Sequence, residues 1–169
     1  MKKIFFATLS AMLLLALGAC HKDPEPTESY LKTKELREKY RDKLIGQWHA
    51  TFQSNREKVY SDYDFKADGQ YSHYVKCVTR DSMNINGEPI YGNWRVIEDK
   101  TTDGQWYLSW IDGDDYNALV LQRKSKSGNS TVGEVRPFDY TDGQTAVFQD
   151  IWISMSMATF KKGAPGADF

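Results

Sequence analysis

The chain has 169 residues, with 22 Lys and Arg against 23 Asp and Glu and a formal net charge of −1. That length suits one domain, and with no basic surplus or stripe nucleic-acid binding is not expected. Aromatic residues make up 14% of the chain, and its two cysteines, Cys20 and Cys77, are too few for a cysteine metal cluster.

The N-terminus begins with Lys2 and Lys3, followed by an almost wholly apolar run from Ile4 to Leu17. A positive start and an apolar stretch of this length form a secretory leader. The stretch is shorter than the roughly 20 apolar residues a permanent membrane span needs. It ends Leu17-Gly18-Ala19-Cys20, which resembles the lipobox of bacterial lipoproteins. The resemblance implies cleavage before Cys20 and lipid attachment at Cys20, with residues 1–19 as the leader. Loss of Lys2 and Lys3 with the leader leaves 20 basic and 23 acidic residues. Residues 20–28 read as a tether, since Pro24 and Pro26 favour extended backbone and oppose helix.

Residues 29–43 are predicted to form a helix. Leu31, Leu36 and Tyr40 roughly share a stripe, charges cover the rest, and Glu35 and Lys39 form a favourable i,i+4 pair. From Leu44 onward the hydrophobic period becomes two. Gly46, Trp48, Ala50 and Phe52 alternate with polar neighbours, as do Val59, Ser61, Tyr63 and Phe65, then Trp94 and Val96, then Trp106, Leu108 and Trp110. Turn pairs punctuate these runs: Asp68-Gly69, Asn86-Gly87, Asp103-Gly104, Asp112-Gly113, Gly128-Asn129 and Asp142-Gly143. About eight antiparallel strands fit, at 45–54, 57–66, 70–80, 89–98, 105–112, 115–124, 131–139 and 146–160, the last with a break near Asp150. A twisted meander of this kind closes on itself and removes its free edges. The fold class expected is therefore all-β: an up-and-down barrel of about eight strands over 44–162, with one N-terminal helix.

A helix leading into "LIGQWHATF", then "YDFKADGQYSHY" and "YGNWRV", resembles the small lipocalin-like domains of lipoproteins in Bacteroidota. The likeness covers roughly Leu44 to Trp110 and implies a calyx-type, non-enzymatic barrel in the cell envelope. Alternation alone assigns Trp48 a structural role as the plug of one barrel end. Gly46 beside it allows close backbone approach.

No catalytic constellation emerges. His49 is expected to face outward, and His73 to be partly exposed on the same face as Cys77. Four residues along a strand separate the two by roughly 13 Å, too far for a nucleophile and its base. No histidine pair has metal-ligand spacing. The acidic run from Asp112 to Asn117 lacks the glycine and glutamate of a calcium loop and reads as a hairpin turn. Asp62 and Asp64 read as a solvated strand face.

The reading that results is a lipid-anchored envelope protein of the outer membrane that binds without catalysis and needs no cofactor or metal. Its leading ligand is a small apolar or amphipathic molecule held in the barrel. Tyr63, Trp94, Trp106 and Trp110, on inward-facing positions, are the candidate ligand contacts if a cavity exists. A solid or nearly solid interior is the expectation for a barrel of this size. In that case the protein is an interaction module for an envelope protein or glycan, with Tyr60, Tyr74 and Tyr107 on its outer face.

Overall fold

A computed structural model describes residues 25–163 apart from 126 and 129. The leader, Cys20 and the start of the tether lie outside the described residues.

Helix α1 spans Glu28–Leu44. Thr27 caps it by accepting the Tyr30 backbone N–H, and Glu28 at its start with Arg41 and Lys43 in its last turn complement the helix dipole. Ten strands follow: β1 (Gly46–Gln53), β2 (Glu57–Phe65), β3 (Gln70–Thr79), β4 (Ser82–Ile85), β5 (Glu88–Tyr91), β6 (Arg95–Ile111), β7 (Tyr116–Lys124), β8 (Thr131–Thr141), β9 (Thr145–Asp150) and β10 (Ser154–Lys162). Eight of them form a closed antiparallel barrel in the order β1-β2-β3-β6-β7-β8-β9-β10, with β10 returning to β1 through Trp48 opposite Lys162. Strands β4 and β5 form a separate two-stranded hairpin. The expected up-and-down barrel with one N-terminal helix is the fold of this chain.

Two expectations are corrected. The predicted strand 89–98 does not exist as one element. Its first part belongs to the hairpin, residues 92–94 are not strand, and Arg95 opens a single strand that runs through Asp103-Gly104 to Ile111. The Asp-Gly pair does not turn because β3 and β7 flank the chain there, with Tyr71 opposite Gly104 and Gln105 paired to both Gln70 and Gln122. Continuous pairing outweighs a local turn preference. A Cβ on Gly104 would collide with the Gln122 carbonyl oxygen and the Tyr71 ring. Glycine stands here for close approach, not for a turn.

The second correction concerns Trp94. Because residues 92–94 break the alternation, Trp94 does not face inward. It is 37% exposed and lies outside against the side chains of Arg80 and Lys58. The expected break near Asp150 is real: β9 ends there and β10 begins at Ser154.

The strand connections fall alternately at two ends of the barrel, and the ends differ. At one, α1 closes the barrel. Leu36 and Leu44 are buried in the core, Tyr40 packs edge-on against Phe138, and Arg37 donates to the Leu108 carbonyl at 2.7 Å. Above the helix lies a filled aromatic layer of Trp48, Phe65, Trp106, Phe138, Phe148 and Phe160, with Phe148 and Phe160 stacked at 4.2 Å. The Trp48 and Trp106 indoles reach polar partners at this end, donating to the carbonyls of Leu44 and Lys66. Gly46 holds φ = +120°, which L side chains rarely adopt, and Lys162 crosses directly over it. The other end is framed by the β1–β2 turn, the β4–β5 hairpin, the β7–β8 connection and the β9–β10 turn. No helix covers it among the described residues.

Candidate functional site

Halfway along the barrel the interior changes character. Inward positions that hold aromatics near the closed end hold Ser61, His73, Arg136 and Asp150 here, and all four are buried. Burying charge is costly unless every group is satisfied, so the arrangement of these residues is specific.

Asp150 is the hub, with no exposed surface. Its Oδ2 accepts hydrogen bonds from the Ser61 hydroxyl at 2.8 Å and the Tyr63 hydroxyl at 2.9 Å, with Arg136 Nη1 at 3.4 Å. Its Oδ1 accepts the backbone N–H groups of Trp152 and Ile153. Burial alone would raise its pKa. The charge of Arg136 prevails, helped by the hydrogen bonds from Ser61 and the Trp152 amide, and holds it below the usual carboxylate value. Arg136 also donates to the Tyr63 hydroxyl, and its Nη2 donates to Glu134 Oε2 at 2.9 Å. Glu134 Oε1 receives Arg123 Nε at 3.5 Å. The result is a chain of alternating charge, Asp150–Arg136–Glu134–Arg123, running from the barrel centre toward the open end.

His73 stacks face to face on Tyr63 at 3.9 Å. Its Nε2 lies 2.9 Å from the Ser61 oxygen. Ser61 has one proton and gives it to ionised Asp150, so the Nε2–H must donate to Ser61. That fixes the tautomer and leaves Nδ1 as an acceptor with no protein donor among the described residues. Burial drives the His73 pKa down to about 4, so the ring is neutral at pH 7. Serine, histidine and aspartate are thus together, but not as a nucleophile triad. The aspartate is on the serine side of the ring, and the serine proton is already committed to it.

Above this network a cavity of about 660 Å3 opens to solvent. Tyr71, His73, Leu121 and Arg136 form its inner surface, and Glu98, Lys100, Thr102 and Arg123 its walls. Ile151 and Trp152 stand at its edge, with Lys100 Nζ 5.2 Å from the Trp152 ring. An adjoining depression of about 810 Å3 shares Tyr71, Asp103, Arg123 and Lys124. The expected solid interior therefore describes only the closed half of the barrel.

The residues singled out from the sequence separate. Tyr63 is fully buried and belongs to the network beneath the cavity. Trp106 lies in the filled layer. Trp110 is half-buried under α1, with Lys32 over its ring, and lines a groove of about 260 Å3 between helix and barrel. Trp94 is outside at the root of the hairpin. His49 is half-buried on the outer face, where its Nδ1 meets the Gly163 carbonyl. His73, expected to be partly exposed, is buried. Of the outer tyrosines, Tyr60 is buried, the Tyr74 hydroxyl donates to Asp99, and the Tyr107 hydroxyl accepts from Gln122. The pairing of Arg136 and Asp150 was not read from the sequence, nor was Trp152 as an edge residue. The available signal was polarity on inward positions: Ser61 and His73 already fell on the buried faces of their strands.

Among the described residues, no cluster of three or more His, Cys, Asp or Glu could hold a metal ion, and no helix is long and apolar enough to cross a membrane. Comparison with protein-family models, curated proteins and solved structures finds no match to this chain.

Proposed function

We propose that the protein is a lipid-anchored binding protein of the cell envelope that holds a small amphipathic ligand in the open half of its barrel and does not transform it. The observation that carries this reading is the cavity of about 660 Å3 above the Asp150 network, a volume typical of small-molecule sites. Its chemistry favours an amphipathic over a purely apolar ligand. Covering Lys100, Arg123 and Glu98 with hydrocarbon would desolvate charges without replacing their water. Leu121, Ile151 and Trp152 offer apolar contact beside them, and His73 Nδ1 offers a fixed acceptor. The likeness to lipocalin-like lipoproteins and the Leu17–Cys20 motif support the same reading, with the anchor on Cys20.

The anchor and the site are tested separately. Cys20→Ala should release the protein from membranes or leave its leader uncut. Normal processing with retention in salt-washed membranes would remove the anchor from the account. For the site, the chain from residue 21 contains the whole core, which runs from Leu36 to Phe160, and can be titrated with 1-anilinonaphthalene-8-sulfonate. One saturable site is expected. Thr102→Trp, which fills the cavity from a half-exposed wall position, should weaken binding by about tenfold or more, equivalent to about 1.4 kcal/mol. Unchanged binding by a folded Thr102→Trp protein would place the probe elsewhere.

A further inference from the structure

Many of the large apolar side chains exposed at the surface lie at the open end, although Tyr30 and Leu31 at the helix start and Val135, Tyr140 and Met157 on β8 and β10 are exposed elsewhere. Met83, Ile85 and Ile90 of the hairpin are 66%, 46% and 52% exposed. Met83 pairs directly with Ile90, and Ile85 is two residues from Met83 on the same strand, so the three share one face. Strands β4 and β5 have no other sheet partner among the described residues. Val96 and Ile97 are exposed at the root of the hairpin, Phe52 near the end of β1 and Ile151 on the β9–β10 turn. An exposed concentration of aliphatic side chains calls for an occupant.

The charges around it indicate which one. Arg56, Lys58 and Arg80 stand at this end with no acidic partner among the described residues. Arg80 is held between the rings of Tyr91 and Trp94 at 4.3 and 4.5 Å, and Lys58 lies 5.0 Å from Trp94. Asp81 is committed to Arg95 at 2.8 Å, which leaves Glu57 and Glu88 as the acids at the hairpin without a cation. We propose that this end of the barrel, led by the β4–β5 hairpin, docks on a lipid surface carrying anionic headgroups. Aliphatic tips on a projecting two-stranded finger enter the headgroup boundary. The cations around them are attracted to the anionic headgroups of such a surface. Trp94 has the amphipathic ring suited to that depth. A protein partner would be met by a flat or pocketed patch with buried aromatic anchors, and this hairpin has neither.

Helix α1 starts at the opposite end, where Lys32 reaches Asp115 of the β6–β7 turn. Docking would bring the cavity opening against lipid, but it stands on the hairpin alone and survives if the cavity proves empty.

The test is sedimentation of the chain from residue 21 with vesicles of phosphatidylcholine alone or mixed with phosphatidylglycerol. The expected result is binding to the mixed vesicles that weakens with salt and is absent on phosphatidylcholine. Ile85→Asp/Ile90→Asp should cut binding by about tenfold or more, and Lys58→Gln/Arg80→Gln several-fold, with melts confirming that each variant is folded. Equal sedimentation of the wild type and the double-Asp variant would overturn the proposal. So would no binding at low salt by the folded wild type, or hairpin-dependent capture of an envelope protein in place of lipid.

Discussion

His73 sits between an aromatic face and a buried serine, and its environment makes a measurable demand on pH. An unfolded histidine takes up a proton near pH 6.5, whereas burial in this fold delays protonation until about pH 4. Between those values the unfolded state binds more protons, so stability falls as the pH falls through the window, and the loss is complete below about 4. The loss from this one group is on the order of 3 kcal/mol. Asp62 acts in the opposite direction. Burial raises its pKa from 3.8 to about 6, so its contribution improves as the pH falls through much of the same range. Comparison with His73→Phe, which keeps the stacked ring and removes the titration, isolates the histidine. Urea unfolding between pH 7 and pH 4 should show a steeper loss for the wild type than for His73→Phe. Parallel curves would mean that His73 is not held neutral. At this scale the sequence was legible where alternation was unbroken, as at Trp48, Tyr63 and Trp106. It misled at Trp94 because three residues outside any strand reset the parity, and a one-residue slip exchanges faces.

Among the elements, the turn pairs illustrate what local chemistry can and cannot decide. Gly69, Gly87 and Gly143 all have positive φ and sit in the turns expected of them. Asn86 joins Gly87 with φ of 56°, the left-handed pair of a two-residue hairpin. Asp103-Gly104 has the same letters but sits inside β6. Its glycine is required by packing against Gln122 and Tyr71, which are distant in sequence and invisible to a local reading. Gly104→Ala should therefore cost about 1–3 kcal/mol by overpacking. Gly113→Ala, in the open β6–β7 turn with nothing within 4 Å of the added carbon, should stay within about 0.5 kcal/mol. Denaturant midpoints decide between them, and equal effects would reject the packing role. The helix was legible to within one residue at each end because its charge pair and apolar stripe agree and neither Gly nor Pro interrupts it. The hairpin β4–β5 was half legible: its turn was read, but its detachment from the barrel depends on Gly92 to Trp94, which carry no strong local signal.

The whole molecule is a barrel with two unlike halves. Aromatic rings and α1 fill one, and a charge network around Asp150 forms the floor of the other. Asp150 also holds the β9–β10 turn through the Trp152 and Ile153 amides, so the interior network and the edge of the opening share one carboxylate. Barrel closure was legible from strand count and turn spacing. The cavity was not, because its volume depends on how far the polar side chains of opposite strands reach toward one another. The central claim, a ligand space between His73 and Trp152 above a filled floor, is tested by the five tryptophan indole N–H signals. They report on the cavity edge (Trp152), the hairpin root (Trp94), the helix groove (Trp110) and the filled aromatic layer of the closed half (Trp48 and Trp106). On titration with 1-anilinonaphthalene-8-sulfonate, followed by proton–nitrogen NMR of the chain from residue 21, the account predicts that the Trp152 signal moves and saturates. The Trp48, Trp106 and Trp110 signals should hold their positions. Movement of Trp106 or Trp110 with Trp152 unchanged would contradict it.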